Sequence, residues 1–361
     1  MKNIELFQVT MSPDATNMLE PVLSSGYVAQ GHRVELFEDA LWRSLTTAKT
    51  KPVTVNSGTS AISLAVELCN VNPGDEIIST PMTCFATQIG AIHRGAKIRW
   101  ADVDPLTGLI DPDSVEKLIT KKTKAIIAVD WAGRLPDYKK LKSFGVPVIE
   151  DAAHCWDTFE TKDVERGDYI CYSFQAIKFL TTSDGGAIIC PVETEREAKN
   201  LRWFGLDRTS NESFRYKQDI KRAGFKYHMN DVCATIGLAN IEYANDAVKE
   251  SRKNAKLFCD ELSGLDHITV LPFDETCSYW IFPIILNNVN REDFMKYLLD
   301  NRIVSSPTHH RNDQNTCTLE FKEGPLPGLD FFNENQLNIP VGWWLTDKEK
   351  MHILDIIKNW K

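Results

Sequence analysis

Tyr172-Ser173-Phe174-Gln175-Ala176-Ile177-Lys178-Phe179-Leu180-Thr181-Thr182-Ser183-Asp184-Gly185-Gly186 sets one lysine in a run of aromatic, aliphatic and hydroxyl side chains that stops at two glycines. The runs on either side, Asp168 to Phe174 and Ala187 to Cys190, have the apolar character of buried strands. Lys178 is therefore expected on a tight interior connection between them. A lysine in apolar surroundings loses stabilisation of its charge, its pKa falls, and its amine becomes usable as a nucleophile or base. Most lysines are solvated surface groups, so this reading needs partners elsewhere in the chain.

Outward from this stretch the pattern alternates. Helical periodicity covers Ser60 to Leu68, Cys84 to His93, Asp113 to Ile119 and Pro136 to Phe144. Strand-like runs cover Glu76 to Thr80, Ile98 to Val103, Lys124 to Asp130 and Val146 to Ala152. Such alternation predicts an α/β domain with a mostly parallel sheet, in which ligands bind beyond the carboxyl ends of the strands. After Cys190 the strand rhythm fades into helices over Glu193 to Phe204 and Asp231 to Glu250. The tail from about residue 251 reads as a smaller α+β unit: a helix, strands at His267 to Leu271 and Tyr279 to Leu286, a helix at Arg291 to Asn301, and a terminal helix. Two domains are expected, 1–250 and 251–361.

Composition narrows the class. With 361 residues, 43% hydrophobic and 25% charged, the chain has the make-up of a soluble globular protein. A net charge of −9 argues against nucleic acid or an anionic membrane as the main partner. No apolar run approaches the ~18 residues of a spanning helix, and Met1-Lys2-Asn3-Ile4-Glu5 lacks a signal-peptide core, so a cytoplasmic setting is expected. The nine cysteines fall singly in apolar contexts with no C-x-x-C pair, which disfavours a metal site or disulfide framework.

Three features fall at strand ends. Ser57-Gly58-Thr59-Ser60 opens a helix, where exposed amides and hydroxyls suit a phosphate; a plain helix cap explains the same residues. Glu150-Asp151-Ala152-Ala153-His154 closes an apolar strand with an acid and a nearby imidazole. Lys178 follows, after Ser173, another hydroxyl for a phosphate. Phosphate cradle, aspartate and lysine in that order are what pyridoxal phosphate requires: a Schiff-base lysine, a carboxylate for the pyridine nitrogen, and an anchor for the phosphate.

On these residues the chain resembles the DegT-type sugar aminotransferases, fold-type-I pyridoxal-phosphate enzymes that act on nucleotide-linked keto sugars. The likeness spans nearly the whole length. It is carried by Gly26 to Gly31, Asn56 to Ala61, Pro73 to Glu76, Ala101 to Pro105, Ile149 to His154, Ser173 to Gly186 and Gly224 to Asp231. The resemblance implies an aspartate-aminotransferase-like large domain with a smaller C-terminal α+β domain. It implies Lys178 as the Schiff-base lysine, Asp151 on the pyridine nitrogen, and His154 near the ring hydroxyl. Gly58, Thr59, Ser60 and Ser173 would hold the phosphate. It further implies glutamate as amino donor, a homodimer with active sites built across two subunits, and amination at C4 of a 4-keto-6-deoxyhexose ahead of a C3 ketone.

The chain departs from the family pattern at three places. Thr83-Cys84-Phe85-Ala86-Thr87 puts Cys84 where an aromatic usually covers the cofactor ring, unless Phe85 substitutes. Lys226 replaces an asparagine that reaches the phosphate of the neighbouring subunit, and a lysine serves there as a point charge. Thr308-His309-His310-Arg311-Asn312-Asp313 replaces a simpler histidine motif; His309, His310 and Arg311 are candidates for a diphosphate or sugar hydroxyl, or form a solvated loop. Relatives that dehydrate sugars replace the lysine with histidine, so Lys178 disfavours dehydration. A non-catalytic pyridoxal-phosphate-binding scaffold is the alternative class, and retention of Lys178, Asp151 and the cradle weighs against it. A nicotinamide dehydrogenase would need G-x-G-x-x-G after a first strand, and no such run exists.

Overall fold

The computed structural model describes residues 2–156, 164–209 and 217–360. Seven strands build the large sheet: β1 (Val53–Val55), β2 (Glu76–Ser79), β3 (Lys97–Trp100), β4 (Thr123–Val129), β5 (Val148–Asp151), β6 (Tyr169–Ser173) and β7 (Gly186–Ile189). Their order is β1-β7-β6-β5-β4-β2-β3. From β3 through β6 every pairing is parallel, and β7 runs antiparallel to both its neighbours. The central strands are buried along their length, which is why they read as unbroken apolar runs.

Helices cover both faces. Gly58–Leu68 packs against β1, β6 and β7, and nearly all of its side chains are buried. The opposite face is covered by His32–Ser44 and the long helix Asp231–Leu262. Asp231 fastens these two together: its carboxylate accepts the amides of Gly31 at 2.7 Å, Arg33 at 3.3 Å and Val34 at 3.2 Å. A carboxylate on the first turn of a helix satisfies its orphan donors and complements its dipole. Helix Asp231–Leu262 runs unbroken through residue 250, where the alternation in sequence placed a boundary. Its last turns, with Ala255, Phe258, Cys259 and Leu262, belong to the core of the C-terminal unit, as does Ile4 from the other end of the chain.

That unit carries a three-stranded antiparallel sheet of β8 (Ile268–Thr269), β9 (Phe282–Leu286) and β10 (Gln336–Ile339). The strands expected at His267 to Leu271 and Tyr279 to Leu286 are both shorter than their apolar runs, and β10 was not anticipated. Residues 84 and 85 form a turn, and the helix after them begins at Ala86 rather than Cys84. All nine cysteines are free thiols. Among the described residues no helix is long and apolar enough to cross a membrane.

Candidate active site

The connection from β6 to β7 is closed by two backbone bonds, Phe174 N–H to Gly185 O at 2.8 Å and Thr182 N–H to Phe174 O at 3.0 Å. Gly186 is required where β7 starts: a Cβ there would stand 2.6 Å from the Ser57 carbonyl oxygen. Inside this connection Lys178 N–H bonds to Gln175 O at 2.9 Å, and the side chain enters a cavity of about 430 Å³. That volume is typical of small-molecule sites. A larger hollow of about 610 Å³ lies between Lys142, Arg166 and Pro191, but none of the expected site residues lines it.

Burial pushes the Lys178 amine down to about 7, against the opposing pull of Asp151 and Cys84. Its Nζ lies 3.5 Å from the centre of the Trp280 ring.

Asp151 ends β5, and successive strand side chains point to opposite faces. Glu150 therefore faces away and is taken up by Arg166 Nε at 2.8 Å and the Gly167 amide at 2.7 Å. Asp151 faces the cavity wall, where Thr87 Oγ1 donates to it at 2.7 Å and the Ala153 amide at 3.1 Å. The Thr87 hydroxyl is itself 2.8 Å from the Thr83 hydroxyl. These donors to Asp151 are neutral, and burial holds its carboxyl above the ordinary range. A carboxylate so placed favours a cationic partner within the cavity.

Ser57 caps helix Gly58–Leu68 by accepting the Ser60 amide at 3.0 Å. The Gly58 and Thr59 amides precede the first intrahelical bond and have no partner in the helix. Both residues line the cavity together with Ser57 and Ser173. Gly58 is needed there because a Cβ would come within 2.7 Å of Ser173 Cβ. Ser60 is not on the wall: its hydroxyl donates to Asn56 Oδ1 at 2.6 Å.

His154 lines the cavity at 4% exposure, and its Nδ1 is buried with no hydrogen-bond partner. Its ring stacks on Trp280 at 4.1 Å and on His309 at 5.4 Å, with the two Nε2 atoms 3.4 Å apart. Burial and the Lys178 charge hold both imidazoles below their usual range, His309 at about 4. Cys84 lines the cavity and Phe85 does not. His310 is exposed and off the wall. Arg311 is buried and held by Asp313 through two 2.7 Å bonds and by Asp330, so its guanidinium is spent on the local fold. Lys226 is exposed and lies off the wall of this cavity.

Residues 10–358 match the DegT/DnrJ/EryC1/StrS aminotransferase family. The chain belongs to that family. Among solved structures, AtS13 from Actinomadura melliaura is 34% identical, with 100% of both chains covered and a TM-score of 0.92. The sugar aminotransferase CalS13 from Micromonospora echinospora is 32% identical, with 99% of this chain and 100% of that one covered and a TM-score of 0.91. GDP-perosamine synthase of Vibrio cholerae is 27% identical over 99% of each chain. The aminotransferase is thus a full-length member with the fold-type-I architecture.

Sequence reading missed Trp280, Phe7, Thr87 and Thr308 as parts of this site. Thr87 stood in a motif already singled out, and its helical spacing from Thr83 was the available signal. Trp280 and Phe7 carried none, since only the folded chain brings them to Lys178. One consequence concerns the cradle. Gly58→Ala is expected to raise the Kd for pyridoxal phosphate about ten- to a hundredfold, the cost of a methyl forced against Ser173. Spectrophotometric titration of the apoprotein would measure it, and an unchanged Kd would rule out the cradle.

Proposed function

We propose that this aminotransferase transfers the amino group of glutamate to a nucleotide-linked 4-keto-6-deoxyhexose, giving the 4-amino sugar. Its cofactor is pyridoxal 5′-phosphate. The observation that carries the reading is a single cavity walled by Lys178, Asp151 and the Gly58–Thr59–Ser173 cradle.

The residues suit that cofactor. Gly58, Thr59 and Ser173 would hold its phosphate, Asp151 the ring nitrogen, the unpartnered His154 Nδ1 the ring hydroxyl, and Cys84 one face of the ring. When bound, the cofactor supplies an electron sink that stabilises negative charge on the carbon losing its proton. Lys178 moves that proton: with its amine near neutrality in pKa, Nζ takes a proton from the donor α-carbon and returns it as an acid. Asp151 would favour a protonated ring nitrogen, and Thr87 keeps Asp151 in place. Thr308 and His309 border the same cavity and would meet the sugar.

The reading includes a homodimer. Among the described residues lining the cavity there is no arginine and no lysine besides Lys178, so the phosphate would lack a fixed counter-charge from them. Lys226 of a second copy would supply it. Exposed apolar side chains, Leu23, Tyr27, Val28 and Trp42, provide a surface for that copy.

The test is a panel of nucleotide-linked 3-keto and 4-keto sugars, each incubated with protein, cofactor and glutamate and read by mass spectrometry. Gain of an amine on a 4-keto-6-deoxy substrate is the expected result. Amination of 3-keto substrates alone would move the reaction to C3, and no amination, with glutamate or with other common amino donors tried in its place, would leave a cofactor-binding scaffold.

A further inference from the structure

Trp280 is held more rigidly than a wall residue needs to be. Its indole N–H donates to Ile177 O at 2.9 Å, next to the lysine in the same loop. One face stacks on Phe7 at 4.7 Å with 28° between the planes, and the ring also stacks on His154 at 4.1 Å and 27°. Its backbone amide is tied to Ala132 O at 3.0 Å, and the preceding Ser278 amide to Gly133 O at 2.9 Å. Between them Tyr279 adopts φ 52, a left-handed conformation that a bulky residue takes only when its surroundings impose it. A strained backbone, a stacked ring and a bonded indole all serve to fix one aromatic plane, and Lys178 Nζ rests 3.5 Å above its centre.

We propose that Trp280 is the positioning residue for Lys178: its ring face receives the lysine amine whenever that amine is not bonded to cofactor, and holds it as an ammonium within reach of the cavity. The negative face of an indole attracts a cation over its centre and offers a neutral amine much less. The ring therefore opposes the loss of charge that burial imposes. Asp151 from the end of β5 and Cys84 from the turn after β2 act with it, whereas His154 and His309, neutral imidazoles, and Asp184 from the lysine's own connection line the same cavity. The inference rests on Lys178 being the lysine that bonds the cofactor.

The experiment follows the rate at which full-length apoprotein forms its visible lysine–cofactor band over a range of pH. Wild type is expected to speed up as Nζ loses its proton and then level off. In Trp280→Leu the midpoint should fall by roughly half to one and a half pH units, the range that loss of a cation–π contact gives. Trp280→Phe, which keeps an aromatic face, should stay near the wild-type midpoint. A packing role alone would change yield or amplitude and leave the midpoint in place, so equal midpoints in all three proteins would overturn the proposal. If Trp280→Leu does not fold, the tryptophan emission of wild-type apoprotein minus that of Lys178→Met serves instead. A pH transition in that difference supports the contact, and a flat difference overturns it. Mapping the reduced adduct separates the two failures: an adduct away from Lys178 removes the underlying assignment, whereas an adduct on Lys178 with unmoved midpoints removes only the role of Trp280.

Discussion

Lys178→Ala is expected to lose turnover by about three orders of magnitude or more while keeping its fold. Proton transfer by a positioned side chain contributes roughly 10²–10⁴-fold, and in the proposed reaction the same amine is also the covalent anchor. The fold should survive because Lys178 makes no side-chain ion pair among the described residues, and its removal relieves a buried charge. Lys178→Arg is expected to be as inactive as alanine. A guanidinium can still rest on Trp280, but it stays protonated at any working pH and cannot act as a base. Steady-state kcat at saturating cofactor, with added small amines as a rescue arm, measures the effect. Retention of turnover within tenfold of wild type would remove Lys178 from the chemistry.

Asp151→Asn should cost roughly 10²–10³-fold in kcat, the scale on which one pre-organised electrostatic contact at a reacting system is felt. The substitution preserves shape and keeps one oxygen for the Ala153 amide, while its NH2 meets the Thr87 hydroxyl, which can turn to accept. What it removes is the charge that would keep the cofactor nitrogen protonated. Thr87→Val should cost about tenfold by itself, one hydrogen bond to a charged group. In the double variant the second substitution should add little, because Thr87 acts only through the carboxylate. Additive losses would mean that Thr87 contacts the reaction by another route.

Much of this site was legible before folding because parallel α/β sheets present chemistry at their carboxyl ends. Lys178, Asp151 and the Ser57–Thr59 turn all lie at such ends, and each was marked by a small-residue turn or an acid closing an apolar run. What escaped depends on contacts between distant segments. Nothing local to Trp280 says that its ring would lie against Lys178, since the contact exists only when the segment before β9 folds back onto the large sheet. Arg311 misled for the opposite reason. A histidine- and arginine-rich loop looks like an anion site, yet Asp313 two positions on chelates the guanidinium, and Asp330 completes the clamp. Ser60 likewise has the right residue type in the right turn, but its hydroxyl is taken by Asn56. The sequence pattern divides the long helix into two, one ending at Glu250 and another opening the tail, where the structure has a single Asp231–Leu262. The rest of that helix packs against the C-terminal unit, whose pattern was read separately.

The covalent site itself can be located in one experiment. Holoprotein reduced with borohydride, digested and sequenced by tandem mass spectrometry should carry the phosphopyridoxyl mass on Lys178 alone. Finding that mass on another lysine, or recovering Lys178 unmodified from protein that had shown the visible band, would contradict the assignment on which the rest depends.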